Sequence, residues 1–182
     1  MSLLTKAVES TGGHIWNSEK EVGELLASLI RMSKMTNVLE SGVFKGRTSS
    51  YLIDALPPKG KFYGIDIEDH RTDDVKTLME KPNCHYLLGD SREVVKKLPA
   101  RFFDLIFIDS VHEYDFLKTE FKECERIIKQ GGIIVLHDAY IDGIKKWVDE
   151  LKKMSWFEVV KLDTLDDIGV NRGIIVIRCL SV

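Results

Sequence analysis

The chain has 182 residues, 44% of them hydrophobic and 30% charged, with a net charge of −3. That length suits one domain with a single sizeable core. Charges of both signs are mixed along it, which excludes the basic footprint of a nucleic-acid binder, and no polybasic run or long apolar stretch addresses a membrane.

The start, MSLLTKAVES, lacks the apolar region and cleavage pattern of a signal peptide. Cys84, Cys124 and Cys179 are scattered and odd in number. They read as buried thiols in a reducing cytoplasm, with neither a disulfide framework nor a zinc spacing. Residues 1–35 are expected to form an N-terminal helical cap segment and 36–182 the core of a single domain.

In chain order, the first strong helical pattern is NSEKEVGELLASLIRM. Ser18 with Glu21 three residues on predicts a capping box, and Val22, Leu25, Leu26 and Leu29 follow helical spacing. Short apolar runs then alternate with helical patterns. The runs are NVLES, KFYGIDI, CHYLLGD, FDLIFIDS and GGIIVLHD. They are apolar almost throughout, as in parallel strands covered on both faces. The proline pair Pro57-Pro58 reads as a helix stop. A helix is predicted from about Glu113 to Lys129, stopped by Gly131-Gly132, and another near Ile141 to Lys153. At the C-terminus WFEVVKLD and GIIVIRCL are joined by TLDDIGVNR with no helix between them, which predicts a hairpin at one sheet edge. The expected fold is α/β: a Rossmann-like, doubly wound seven-stranded sheet. Five parallel strands precede a C-terminal antiparallel hairpin, and helices cover both faces.

Ligands of such sheets bind beyond the carboxyl ends of the strands. Glu40, Asp66, Asp90, Asp109 and the pair His137-Asp138 end the five runs in turn. A core strand has no packing reason to end in an acid, so the series predicts a polar site along one rim. In LESGVFKGRTS, Gly42 and Gly46 would let backbone approach a ligand. Thr48 begins a helix whose free N–H groups favour an anion. A pyrophosphate wants a second glycine where Phe44 stands; a carboxylate tolerates the ring. Glu40 could meet an ammonium, Asp66, 24 residues beyond Gly42, could hold ribose hydroxyls, and Gly89–Ser91 would border adenine. Zwitterion, ribose and adenine together describe S-adenosylmethionine. The competing reading of the two glycines is a tight strand-helix turn and nothing more.

The chain resembles class I S-adenosylmethionine-dependent methyltransferases from about His14 to its end. The resemblance rests on SEKEVGELLASLI, VLESGVFKGRTS, YGIDI, LLGDSREVVKKLP, FDLIFIDSVHEY and GGIIVLHDAY. It is nearest to the small O-methyltransferases of the catechol and caffeoyl-CoA type and to the macrocin and cephalosporin-hydroxylase-like branch. By that resemblance Glu40, Gly42, Phe44 and Thr48 line the methionine end. The ribose is held by Asp66 and Ile67, the adenine lies by Gly89, Asp90 and Ser91, and Ser41, Gly46 and Asp109 are further cofactor-binding residues.

In the catechol type a metal is held by an Asp after strand four and an Asp-Asn pair after strand five, and a Lys three residues beyond the first Asp is the base. Here Asp109 and Asp138 match two ligand positions, Ala139 replaces the Asn, and His112 stands in place of the Lys. The macrocin branch uses Asp, then His as base, then Glu-Asp; this chain has His137-Asp138 there. The resemblance therefore implies catalytic His112, Asp109 and Asp138 and a divalent metal on Asp109, His137 and Asp138. Imidazole suits several divalent ions but is less natural for magnesium.

Bland readings stand beside these: His112 as a helix-cap histidine, His137 as a strand-end histidine bonded to backbone, and Asp138 as the N-cap of the next helix. His14 and Trp16 lie where relatives cover the cofactor, or are core. Trp147 and Trp156 read as core. Lys45 and Arg47 are either solvated or set to meet an acidic acceptor. The expected activity is O-methylation of a small-molecule hydroxyl, with a homodimer implied by the family. The alternatives are a cofactor-binding module without catalysis and an NAD-dependent oxidoreductase; Phe44 and the terminal hairpin argue against the last.

Overall fold

The structure is a computed structural model that describes residues 2–12, 18–165 and 169–181. His14, Trp16 and residues 166–168 of the hairpin loop lie outside the described residues. Among those described, seven strands make one sheet in the order β3-β2-β1-β4-β5-β7-β6. In chain order these are β1 (Asn37–Ser41), β2 (Lys61–Asp66), β3 (Cys84–Leu88), β4 (Phe103–Ile108), β5 (Ile128–Leu136), β6 (Phe157–Leu162) and β7 (Ile174–Cys179). The first five are parallel, and β7 inserts antiparallel between β5 and β6. This is the predicted architecture.

The helices are α1 (Leu3–Ser10), α2 (Lys20–Ser33), α3 (Arg47–Ala55), α4 (Asp73–Met79), α5 (Ser91–Lys96), α6 (Tyr114–Ile127) and α7 (Asp142–Leu151). They divide cleanly between the two faces. Strand side chains alternate, so Leu39, Ile106 and Ile108 join α5, α6 and α7 in one core, while Val38, Leu105 and Phe107 join α1 to α4 in the other. On the first face Phe121 packs edge-on against both Trp147 and Phe157, at 5.5 and 5.7 Å between ring centroids. Each fully buried large side chain of this kind contributes about 1.5–3 kcal/mol. Trp147 is core, as expected; Trp156 is 40% exposed and donates its indole N–H to Glu125. No helix among the described residues is long and apolar enough to cross a membrane, and the three cysteines are free thiols.

Three local expectations are corrected. Glu19, not Ser18, precedes the first residue of α2, and it makes no side-chain cap; Ser18 is spent elsewhere. The helix predicted to run to Lys129 stops at Ile127 and passes straight into β5. Gly131 and Gly132 lie inside that strand, where the β4–β5 register shifts between Phe103 and Leu105, so they mark an irregularity in the ladder and not a helix stop. Finally, α7 is preceded by Ile141 without a side-chain cap, so Asp138 does not serve as its N-cap.

Two glycines carry the glycine turn for packing reasons. Gly42 has φ +89°, and a Cβ there would overlap the Asp109 carbonyl oxygen and sit 2.5 Å from its carbon. At Gly46, φ +87°, a Cβ would overlap Val75 of α4. Asp104 ties the other end of β1. Its Oδ2 accepts the backbone N–H groups of Thr36 and Asn37, both at 2.9 Å, and its Oδ1 accepts the Lys129 ammonium at 2.6 Å. Burial works against ionisation, but Lys129 and the two N–H donors outweigh it and hold the carboxyl below its ordinary value.

Gly42→Ala is expected to cost about 3 kcal/mol or more of unfolding free energy, since a forbidden φ is joined by a backbone overlap. Gly131→Ala, at φ +76° with nothing within 4 Å, should cost only the left-handed penalty of about 1–2 kcal/mol. Urea denaturation of the two variants side by side checks the difference. By the same method Asp104→Ala should cost about 2 kcal/mol at neutral pH. Because the folded carboxyl titrates below its unfolded value of 3.8, its contribution is complete above that value and is lost as the pH falls through the folded pKa. The stabilities of wild type and variant should therefore converge in acid.

Candidate active site

Strand order reverses between β1 and β4, so the loops leaving their tips part and open a crevice. A cavity of about 630 Å³ lies there. Of the residues expected from the sequence to be catalytic, cofactor-binding or metal-ligating, all but Gly46 border it.

The glycine turn forms the floor. Asp66, at the tip of β2, accepts the backbone N–H of Phe44 at 2.6 Å and of Ile67 at 2.7 Å. That first bond holds Phe44 at φ +47°, a left-handed conformation that is strained for a bulky residue. Glu40 is 1% exposed and accepts the Ser49 hydroxyl of α3. Burial pushes its carboxyl well above the usual range, with the charges of Asp109 and Asp66 adding to the effect and Ser49 opposing it. At the far end Asp90 caps α5 through the Arg92 N–H and pairs with the Arg92 guanidinium. That guanidinium stacks 4.2 Å from the centre of the Phe116 ring.

The other wall is an acid–imidazole corner. His137 is buried, and its Nε2 lies 2.7 Å from Glu19 Oε2. Its Nδ1 faces Asp109 Oδ1 at 3.1 Å and Asp138 Oδ2 at 3.4 Å but makes no well-formed hydrogen bond. Burial disfavours the imidazolium, yet Asp109, Asp138 and Glu19 outweigh it and raise the His137 pKa well above the ordinary imidazole value. Reciprocally, burial is outweighed at Asp109, which His137 and His112 hold well below the usual carboxylate range. His112 Nε2 sits 3.3 Å from Asp138 Oδ2 and 3.6 Å from Asp109 Oδ1, again without a well-formed bond. Asp138 reaches this position at φ +53°, a conformation that aspartate tolerates.

Several contributors escaped the sequence reading. Ser18 bonds Thr48 Oγ1 at 2.7 Å and Asp109 Oδ2 at 3.2 Å. Glu19 bridges His137 to Thr164 of the C-terminal hairpin. Arg47, weighed from the sequence as solvated, is instead buried at the cavity's border and donates to Thr11, Gly12 and Ser18, so it fastens the N-terminal segment. Gly143 lets α7 press on the His112 backbone, where a Cβ would overlap the His112 carbonyl oxygen. Arg172 borders the cavity with Nη1 3.7 Å from Asp138 Oδ1.

A family model described as a methyltransferase domain matches residues 39–139, more than half of the chain. The chain belongs to that family. The matched stretch of this methyltransferase domain runs from the glycine turn to the His137-Asp138 pair. Among curated relatives, a "Putative O-methyltransferase" of Mycolicibacterium paratuberculosis is 29% identical over 129 residues, covering 67% of this chain and 56% of its own. The chain thus spans little more than half the length of the curated relatives it matches. Solved structures agree on the fold. An O-methyltransferase from Bacillus cereus in complex with SAH superposes with a TM-score of 0.82 at 17% identity, over 98% of this chain and 91% of that one. The O-methyltransferase TomG from Streptomyces achromogenes, in complex with SAM, gives 0.82 at 20% identity over 100% and 91%.

Proposed function

We propose that this domain binds S-adenosylmethionine in the crevice and transfers its methyl group to the hydroxyl of a small molecule, with His112 as general base. The observation that carries the reading is Glu40. A carboxyl buried at a strand tip, bonded to one hydroxyl and facing two further acids, calls for a cation. The ammonium of a methionine tail supplies it. Asp66 braces the turn under that tail and lies where the ribose hydroxyls would fall, beside Ile67. The neighbours solved with SAM and SAH support the choice of cofactor. Phe44 closes the turn to a diphosphate, which disfavours NAD.

Catalysis is then mostly positioning. The acceptor oxygen attacks the methyl carbon, the carbon–sulfur bond breaks with its electrons going to sulfur, and the hydroxyl proton passes to His112 Nε2. Asp109 and Asp138 flank that nitrogen and stabilise the imidazolium that forms.

The same corner fits a divalent ion. One atom each from Asp109, His137 and Asp138 lies within 4.8 Å of the others. The 3.1 and 3.4 Å gaps from His137 Nδ1 are near the separation of about 3 Å expected for neighbouring ligands of one ion. Glu19 at Nε2 fixes the ring so that Nδ1 faces inward. An ion bound there would supply Lewis acidity toward the acceptor hydroxyl.

Calorimetry should show saturable binding of S-adenosylhomocysteine and none of NAD; the reverse result removes the methyltransferase reading. With labelled S-adenosylmethionine and a panel of phenols and sugars, His112→Ala should lower kcat by about 10²–10⁴-fold while leaving S-adenosylhomocysteine affinity intact. Cofactor binding without turnover of any acceptor would point instead to an inert binding module. For the ion, Mn²⁺ titration followed by electron paramagnetic resonance should show one site that Asp138→Asn weakens by about tenfold or more. Equal binding by both proteins would remove the metal.

A further inference from the structure

The reacting end of the crevice has a permanent cation to which the chemistry above gives no task. Among the described residues that border the cavity, the permanent cations are Arg47 and Arg172. Arg47 donates to Thr11, Gly12 and Ser18. Arg172 lies in the loop between β6 and β7, with its side chain 32% exposed. Its backbone is held on several sides. The Arg172 N–H donates to the Thr164 carbonyl at 3.0 Å, and Leu165 and Asn171 form an antiparallel bridge just before it. The next residue, Gly173, accepts the Ala139 N–H at its carbonyl at 3.1 Å. Gly173 has φ +65°, and a Cβ there would sit 2.9 Å from the Tyr140 ring. The loop is therefore fastened to the segment that carries Asp138, and it delivers the guanidinium to the rim beside that acid.

Asp138 is shared by the proposed base and this cation. His112 Nε2 is 3.3 Å from Asp138 Oδ2, and Arg172 Nη1 is 3.7 Å from Oδ1 of the same carboxylate. A guanidinium that served only to neutralise Asp138 would close on it as a fork at about 2.7–2.9 Å. The observed pair is longer than a hydrogen bond. A guanidinium has five N–H donors, so it can keep its present partners and still take a second carboxylate in the two-pronged fashion that an ammonium lacks. Val111 and Ile141 border the same cavity as His112 and are exposed apolar side chains. An acceptor whose hydroxyl reaches His112 thus finds apolar surface for its body, and a cation on the far oxygen of Asp138. Elsewhere the cavity is bordered by the acids Glu40, Asp66, Asp90 and Asp109, which disfavour an anion. We infer that Arg172 selects the acceptor: a small molecule that bears a carboxylate as well as the hydroxyl, with the carboxylate on Arg172 and the hydroxyl at His112. The inference rests on the methyltransferase reading above and narrows its substrate class.

The test uses the full chain loaded with S-adenosylhomocysteine and two matched pairs of probes, catechol with protocatechuate and benzyl alcohol with mandelate. In at least one pair, calorimetry should show the carboxylate member binding about tenfold or more tighter than the neutral one. Arg172→Gln should abolish that preference by weakening the carboxylate member about tenfold while the neutral member binds as before. With labelled S-adenosylmethionine the same change should appear in KM for the carboxylate member. A role confined to steadying Asp138 would lower kcat for both members alike and leave the ratio of their affinities as in wild type. That result overturns the inference, as does a wild type with no preference for the carboxylate member in either pair. If Arg172→Gln does not fold, Arg172→Lys decides: loss of the fork should cut the preference about threefold or more, and an undiminished preference overturns the inference. The two readings fail differently. A chain that binds no S-adenosylhomocysteine removes the cofactor reading and the inference with it. A chain that binds it and methylates only neutral acceptors keeps the methyltransferase reading and overturns the inference.

Discussion

The structure depends on how closely the tips of β1 and β4 approach each other. The Gly42 α-carbon passes the Asp109 carbonyl with no room for a side chain, and Asp109 N–H donates to the Ser41 carbonyl at 2.8 Å. At this point the chain order of the sheet reverses, so the segments leaving the two tips turn apart. A narrower or wider join would move Glu40 and Asp109 relative to each other, and the charge of Asp109 is one of those that raise the Glu40 carboxyl. The left-handed conformations at Phe44 and Asp138 are held on either side of the same join. Strain of about 1–3 kcal/mol at such residues persists only where the surroundings over-determine it; for Phe44 the bracing bond comes from Asp66.

The buried acids of the crevice fall into two classes by the partners they have. Asp109 has two imidazoles nearby and is held ionised. Glu40 and Glu120 have hydroxyl partners and are pushed upward by burial. Hydroxyl donors soften desolvation without cancelling it. The first class is balanced within the protein, and its chemistry is proton handling or ion binding. The second class is unbalanced as it stands. Glu40 faces the cavity directly and gains from a cationic ligand. Glu120 lies behind the wall, shielded from the cavity by the serine hydroxyls it accepts. One rim thus contains two kinds of acid, and burial together with the nature of the partner separates them.

The fold was legible because its signals are local. Continuous apolar runs, helical periodicity and the missing helix between the last two strands each lie within a few tens of residues. The cavity wall was legible for a related reason: strand ends are local, and in a parallel sheet they converge on one edge. The errors came where a local pattern was claimed by a distant partner. Ser18 and Glu21 have the spacing of a capping box, yet Ser18 bonds Asp109, 91 residues away, and Glu19 bonds His137, 118 residues away. Nothing in NSEK announces those partners. Gly131-Gly132 resembles a helix stop because a helix end and a strand irregularity both call for positive φ, and Gly131 has it. Glu120 is a different case. It falls three residues after Leu117 and one before Phe121, on the face that packs against the sheet, so its position was open to a reader of the periodicity. An acid on an apolar stripe is a buried polar group with something to bond.

Glu19 shows why the reacting corner is a property of the whole chain. Its two oxygens join His137, which follows β5, to Thr164 in the hairpin loop, and the Thr164 hydroxyl in turn accepts the Gly173 N–H ahead of β7. Arg47, at the start of α3, holds the segment leading to Glu19 through carbonyls on both sides of residues 13–17. The carboxylate that orients the imidazole is thereby tied to the first helix after the glycine turn and to the last strand pair. A change of position at either end reaches His137 Nε2 before it reaches solvent. Since Nε2 and Nδ1 belong to one rigid ring, whatever fixes the first aims the second at Asp109 and Asp138. The N-terminal segment and the hairpin accordingly act as supports for the acid–imidazole corner, although neither contributes an atom to the proposed ion site.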